Sequence, residues 1–208
     1  MTLLDRITPE TFREGHIPLL ETERLVLRAP RDEDAKAIAT LINDRRIAQN
    51  TLRIPHPYAL ADAEAFIASA NRAGGETVFL ITGRDHRILG GCGIAKLDGE
   101  TPEIGYWLGV AHWGKGYATE AARAVIDHAF ADLGCDTLLA GARVSNPASR
   151  RVLEKCGFQW TGVGLYRIRA LKSSAPIDRF RLDRGLWASL KSWGTVRRIA
   201  RRTPVEPA

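Results

Sequence analysis

The chain has 208 residues, 45% hydrophobic and 26% charged, a composition that suits one well-buried soluble domain, at most with an appendage. No run approaches the ~18–20 apolar residues of a membrane span, and residues 1–20 lack the apolar core of a signal peptide, so no membrane partner and a cytoplasmic location are expected. The net charge of +6 is concentrated in residues 191–208, where Lys191, Arg197, Arg198, Arg201 and Arg202 face Glu206 alone; this tail offers a weak contact to RNA or an anionic surface and otherwise reads as a frayed terminus.

Glu23 to Arg28 has Leu25 and Leu27 on one side and ends at Pro30, which predicts a first strand. Arg31 to Asn43 places Ala35, Ile38, Ala39 and Ile42 at helical spacing behind acidic Asp32, Glu33 and Asp34. Arg45 to Tyr58 is aperiodic, contains Pro55 and Pro57, and reads as a loop. A second helix fits Ala61 to Ala73 and stops at Gly74. Strands then follow at Thr77–Thr82, Ile88–Lys96 and Glu103–Val110, separated by turns at Gly83–His86 and Asp98–Pro102, as an antiparallel meander.

The clearest helix is Tyr117 to Leu133, with one apolar stripe from Ala118 to Leu133 and Gly134 as its stop. Thr137–Val144 is a strand. Asn146-Pro147 supplies an N-cap and a first-turn proline for a short helix that ends at Gly157. Gln159–Ile168 and Ile177–Asp183 close the order. The result is a single α/β domain with a mixed, mostly antiparallel sheet of about seven strands and four helices. Residues 1–21 read as an N-terminal extension, 22–190 as the domain and 191–208 as a flexible tail. Cys92, Cys135 and Cys156 lie far apart beside apolar residues, which predicts buried thiols and neither a disulfide framework nor a metal site.

The most informative segment is Gly109 to Glu120, GVAHWGKGYATE. Gly114 and Gly116 let the backbone turn sharply and approach a ligand. The helix that follows opens with unpaired N–H groups and the positive end of its dipole, which makes an anion site. Gly109 to Lys115 satisfies G-x-x-x-x-G-K, but the next residue is Gly116 where Mg²⁺ chemistry needs Ser or Thr. The dinucleotide fingerprint fails because Tyr117, Ala118 and Thr119 offer no third glycine.

Three segments together, Glu103-Ile-Gly-Tyr-Trp-Leu108, Trp113 to Ala121 and Ser145 to Phe158, resemble the GNAT superfamily of acyl-CoA-dependent N-acetyltransferases. The nearest likeness is to its RimJ/RimL-type members, several of which act on ribosomal-protein amino termini. The likeness covers Thr22 to Leu186. It implies acetyl-CoA as co-substrate, no metal, and a fourth and fifth strand that splay apart to admit the pantetheine arm. By this resemblance Trp113, Gly114, Lys115, Gly116, Tyr117, Ala118 and Thr119 wrap the pyrophosphate, Leu108, Gly109 and Val110 pair with pantetheine, and Asn146 contacts the cofactor arm. Ala111 stands where the superfamily often has Gln or Arg, and Leu153 where many members carry an acidic tyrosine.

Attack on a thioester needs a neutral amine, a site for the oxyanion and a proton for the thiolate. Glu103 matches the family's strand-four carboxylate and is the candidate general base, through water. A backbone N–H near Leu108 or Gly109 would meet the oxyanion. Ser149 matches the serine near the thiol sulfur and is the candidate proton donor. The acceptor, a protein N-terminal α-amine (ribosomal or other) or a small-molecule amine, would enter over the loop bearing Arg45, Arg46, Arg53, His56 and Tyr58, whose charge disfavours polyamines. His112 and His128 are expected in solvent-facing or packing roles. A monomer or homodimer fits the sequence, and a non-catalytic acyl-CoA sensor is the competing function.

Overall fold

Val78, Phe79, Leu80 and Ile81 are all buried, so the strand they form must be covered on both faces. In the computed structural model, which describes residues 17–72, 76–96, 101–191 and 197–199, that strand (β3, Thr77–Gly83) lies in a nine-stranded sheet. In chain order the others are β1 (Leu19–Glu21), β2 (Leu25–Arg28), β4 (Ile88–Ala95), β5 (Glu103–Leu108), β6 (Thr137–Arg143), β7 (Gln159–Ile168), β8 (Ser173–Asp183) and β9 (Arg197–Ile199). Their spatial order is β7-β8-β6-β5-β4-β3-β2-β1-β9, and only the β5–β6 pair is parallel.

The α-helices are α1 (Ala35–Ile42), α2 (Arg45–Ala48), α3 (Leu60–Ala70), α4 (Tyr117–Ala131), α5 (Pro147–Lys155) and α6 (Arg184–Ser189). Strand alternation sends Phe79 and Ile81 to the face covered by α4, and Leu80 to the face covered by α1 and α3. Small side chains on α4 (Ala121, Ala122, Ala129) let it sit close to the sheet, while Val125, Ile126 and Phe130 fill the space beneath. Phe130 stacks on Trp187 of α6 with ring centroids 5.2 Å apart, and the Trp187 indole N–H donates to Asp127 Oδ1 at 2.7 Å. A fully buried side chain of this size contributes about 1.5–3 kcal/mol.

The seven expected strands and four expected helices are present, with ends shifted by a few residues. Among the described residues the count is nine strands and six α-helices, because two short strands and two short helices add to those expected. Leu19–Glu21, expected in the extension, pairs with β2, and Arg197–Ile199, expected in the tail, pairs with β1. Arg45–Ala48 is one helical turn rather than loop: the Asp44 side chain caps the Arg46 N–H at 2.8 Å, and Ile47 and Ala48 are buried. Such segments are too short to show a period. The expected stop at Gly74 and part of the Asp98–Pro102 turn lie outside the described residues, as do residues 1–16 and most of the tail.

The functional consequence lies at the centre of the sheet. β5 and β6 pair only at Glu103 with Leu139 and Ile104 with Ala140, then diverge. These are the fourth and fifth strands of the sequence reading, and they splay as the resemblance implies.

Candidate active site

The strand β5 ends at Leu108 and passes through Gly109 and a 3-10 turn at Val110–His112 into the glycine loop. The Trp113 indole N–H donates to the Leu108 carbonyl at 2.8 Å, which pins an otherwise exposed ring over the strand end. Gly114 and Gly116 have φ of +75° and +82°, the left-handed region in which a side chain is strained. Gly116 is also the N-cap of α4, and no side chain caps that end. The Glu120 N–H reaches the Gly116 carbonyl at 3.1 Å. The N–H groups of Tyr117, Ala118 and Thr119 precede that first bond and point out of the helix end, as an anion cradle requires.

Arg24 braces this loop from the far side. Its guanidinium donates to the Lys115 carbonyl at 2.9 Å and to Glu120 Oε2 at 2.7 Å, and lies 4.9 Å from the centre of the Tyr117 ring. Its backbone N–H and the Thr22 hydroxyl both donate to Glu120 Oε1, at 2.8 and 2.6 Å. Burial works against the Glu120 carboxylate, but these donors outweigh it and hold its pKa below the ordinary value. Neither Arg24 nor Glu120 carried a signal in the sequence, because their contact spans 96 residues.

A cavity of about 430 Å³ runs from Gly114, Gly116 and Tyr117 along Trp107 and Leu108 to Asn146 and Ser149 on α5. The Gly109 N–H faces β4, where it donates to the Leu89 carbonyl at 2.9 Å. Antiparallel alternation therefore turns the peptide groups of Tyr106 and Leu108 the other way, toward the gap left by β6. The expectation that Gly109 serves as oxyanion donor is corrected on this ground, and Leu108 retains the geometry for it. Asn146 Oδ1 accepts the Ser149 N–H at 3.3 Å, capping α5, while the residue also lines the cavity. His112 lines this cavity too, and burial together with Lys115 lowers its pKa. His128 is buried against Phe79, with Nδ1 2.7 Å from Asp132, and takes a packing role.

A second cavity, also about 430 Å³, opens between α3, the 50–58 segment and β5, with Glu103 and Gly141 on its wall. It shares Asn50, Thr51, Tyr106, Trp107 and Ser149 with the first, so the two meet there. At the junction the Tyr106 hydroxyl lies 2.9 Å from Ser149 Oγ and 3.1 Å from the Ser149 carbonyl. Burial pushes the Tyr106 phenol well above its ordinary pKa, partly offset by the Ser149 hydrogen bond, so it stays protonated. Leu153 is 1% exposed and belongs to the core, so α5 brings a single hydroxyl, Ser149, to the junction.

Glu103 is held by the Arg179 guanidinium through two hydrogen bonds, 3.1 and 2.7 Å. The pair reaches from β5 to β8 across β6, over Gly141. A Cβ there would lie 3.0 Å from Ile177, 3.1 Å from Arg179 Nη1 and 3.4 Å from Glu103 Oε1. The other carboxylates of the cavity are also faced by arginines, Glu76 by Arg53 and Asp62 by Arg169. Tyr106, Arg179 and Gly141 were not singled out in the sequence; only the sheet register brings them together.

Residues 24–159 match the family model described as an acetyltransferase (GNAT) domain. The chain belongs to the GNAT family of acetyltransferases. The uncharacterized N-acetyltransferase p20 of Bacillus licheniformis is 32% identical over 149 residues, covering 69% of this chain and 84% of that protein. Among solved structures, Mycobacterium smegmatis RimJ in complex with CoA-disulfide has a TM-score of 0.73 at 20% identity, covering 87% of this chain and 92% of that one. A spermidine N-acetyltransferase from Vibrio cholerae, in complex with CoA and spermine, has a TM-score of 0.68 at 21% identity, covering 79% and 98%. At such identities the likeness is one of fold, and neighbours named for different acceptors share it. Among the described residues no cluster of His, Cys, Asp or Glu could hold a metal, and no helix is long and apolar enough to cross a membrane.

Proposed function

We propose that the protein transfers the acetyl group of acetyl-CoA directly to a primary amine, a protein N-terminal α-amine or a small-molecule amine. The observation that carries this reading is the meeting of two cavities at the Tyr106–Ser149 contact, one starting at an uncapped helix end and the other walled by Glu103. The loop from Trp113 to Thr119 would hold the pyrophosphate with backbone N–H groups, and Asn146 would contact the cofactor arm. Val110 and the peptide groups of Tyr106 and Leu108 would guide that arm along the splay.

Glu103 would take the amine proton through a water. The Leu108 N–H would meet the developing oxyanion, and Ser149 would donate to the departing sulfur. An α-amine, with a pKa near ~7.7–8.0, asks less of such a base than a lysine near ~10.4. The arginines facing Asp62, Glu76 and Glu103 leave these carboxylates less available to a polyamine.

The test is release of CoA thiol from acetyl-CoA over a panel of N-terminal peptides and small amines, repeated with Gly114→Val. Acceptor-dependent release by the unaltered protein is expected. The variant should lose CoA affinity about 100-fold or more, because a β-branched residue at φ +75° is strained and fills the approach to the cradle. Tight CoA binding without release for any amine would favour a sensor, and unchanged affinity in Gly114→Val would place the cofactor elsewhere.

A further inference from the structure

We infer that Tyr106 is a positioning residue for the leaving thiol, aiming the Ser149 hydroxyl at the sulfur end of the groove; this rests on the function proposed above. Tyr106 lies on β5 between Ile104 and Leu108, and its ring packs against the core cluster under α4. Its hydroxyl reaches α5 at the one residue that lines both cavities from that helix, with 2.9 Å to Ser149 Oγ and 3.1 Å to the Ser149 carbonyl.

A phenol has one proton and can also accept, so two arrangements share these heavy-atom positions. In one, Tyr106 donates to the Ser149 carbonyl and the serine O–H turns back to the phenol oxygen. In the other, Tyr106 donates to Ser149 Oγ and the serine O–H is released toward the cavity. Negative charge on a sulfur in the groove selects the second. Only two O–H rotations separate the arrangements, so the donor is in place before charge develops. Because burial keeps the phenol protonated, Tyr106 acts as a donor throughout and carries no charge of its own.

The step balances without ionising either hydroxyl. The amine lone pair forms the N–C bond as the C=O electron pair moves onto oxygen, and on its return the C–S bond breaks with its electron pair staying on sulfur. The amine proton passes through a water to the Glu103 carboxylate. The thiolate is held by the Ser149 O–H until solvent protonates it.

The experiment titrates the thiol of CoA bound to the full-length protein, following thiolate absorbance against pH in the unaltered protein, Tyr106→Phe, Ser149→Ala and the double variant. The bound thiol should titrate about one unit below its value in free CoA, a tenfold gain in thiolate. Each single variant should remove most of that gain, and the double should lose no more than Ser149→Ala alone. Phenylalanine keeps the ring, so CoA affinity should stay within about threefold. With a productive acceptor, kcat should fall about tenfold at unchanged KM for acetyl-CoA. A thiol pKa in Tyr106→Phe equal to that of the unaltered protein, or losses that add in the double variant, would overturn the inference. The titration needs no turnover, so absence of amide product would count against the proposed function alone, whereas absence of CoA binding would sink both.

Discussion

Gly141 has no side chain, and the ion pair between Glu103 and Arg179 occupies the space a Cβ would crowd. A Gly141→Ala substitution should therefore disturb the Glu103 carboxylate without touching the anion cradle. The expected result is a fall in kcat of about tenfold with CoA affinity unchanged, read by steady-state kinetics beside calorimetry; equal losses in both would mean a general distortion. Glu103→Gln should lower turnover most at low pH, where free amine is scarcest, and an unaltered pH profile would remove Glu103 as the base. At this scale the sequence was informative where chemistry is local. The glycines at 114 and 116, Asn146 and Ser149 lie in short motifs, whereas Arg179 and Gly141 acquire their meaning only from the register β5-β6-β8.

On the proposed function, cofactor binding depends on the N-terminus of α4, and the Arg24–Glu120 contacts fix its orientation against β2. Glu120 and the buried Asp34, paired with Arg28, both have pKa values held below the ordinary carboxylate range, in each case against the opposing effect of burial. A depressed folded pKa contributes stability that is complete above the unfolded value, about 4.3 for Glu and 3.9 for Asp. That contribution is lost as pH falls through the folded values. These groups should therefore contribute fully and without pH dependence near pH 7, and thermal stability should decline below about pH 4. Glu120→Gln should cost about 1 kcal/mol at neutral pH, or roughly 2–4 °C, since Arg24 is partly exposed. The deficit should shrink in acid and CoA binding should weaken; a deficit constant from pH 7 to pH 3 would contradict this role. The long elements were legible because α4 and the strands of the meander carry full periods. The three-residue β1 and the four-residue α2 were not, because each is held by pairing or capping to distant or neighbouring groups rather than by a pattern of its own.

At the scale of the whole molecule, a sheet covered on both faces is opened at one place, the divergence of β5 from β6, and both cavities converge on it. The cavity that starts at the glycine loop was legible, because that loop is a short local motif. The second cavity was not, because its wall is assembled from α3, the 50–58 segment, β5, β6 and β8, and the acceptor was not, because solved structures named for different acceptors share the fold. The proposed reaction is direct transfer across the Tyr106–Ser149 junction. Its most direct test is a single-turnover reaction with acetyl-labelled CoA and an N-terminal peptide and amine panel, followed by mass spectrometry of acceptor and protein. Label is expected on the acceptor amine and none on the protein; label retained on the protein, or left entirely in acetyl-CoA with the cofactor bound, would rule out direct transfer.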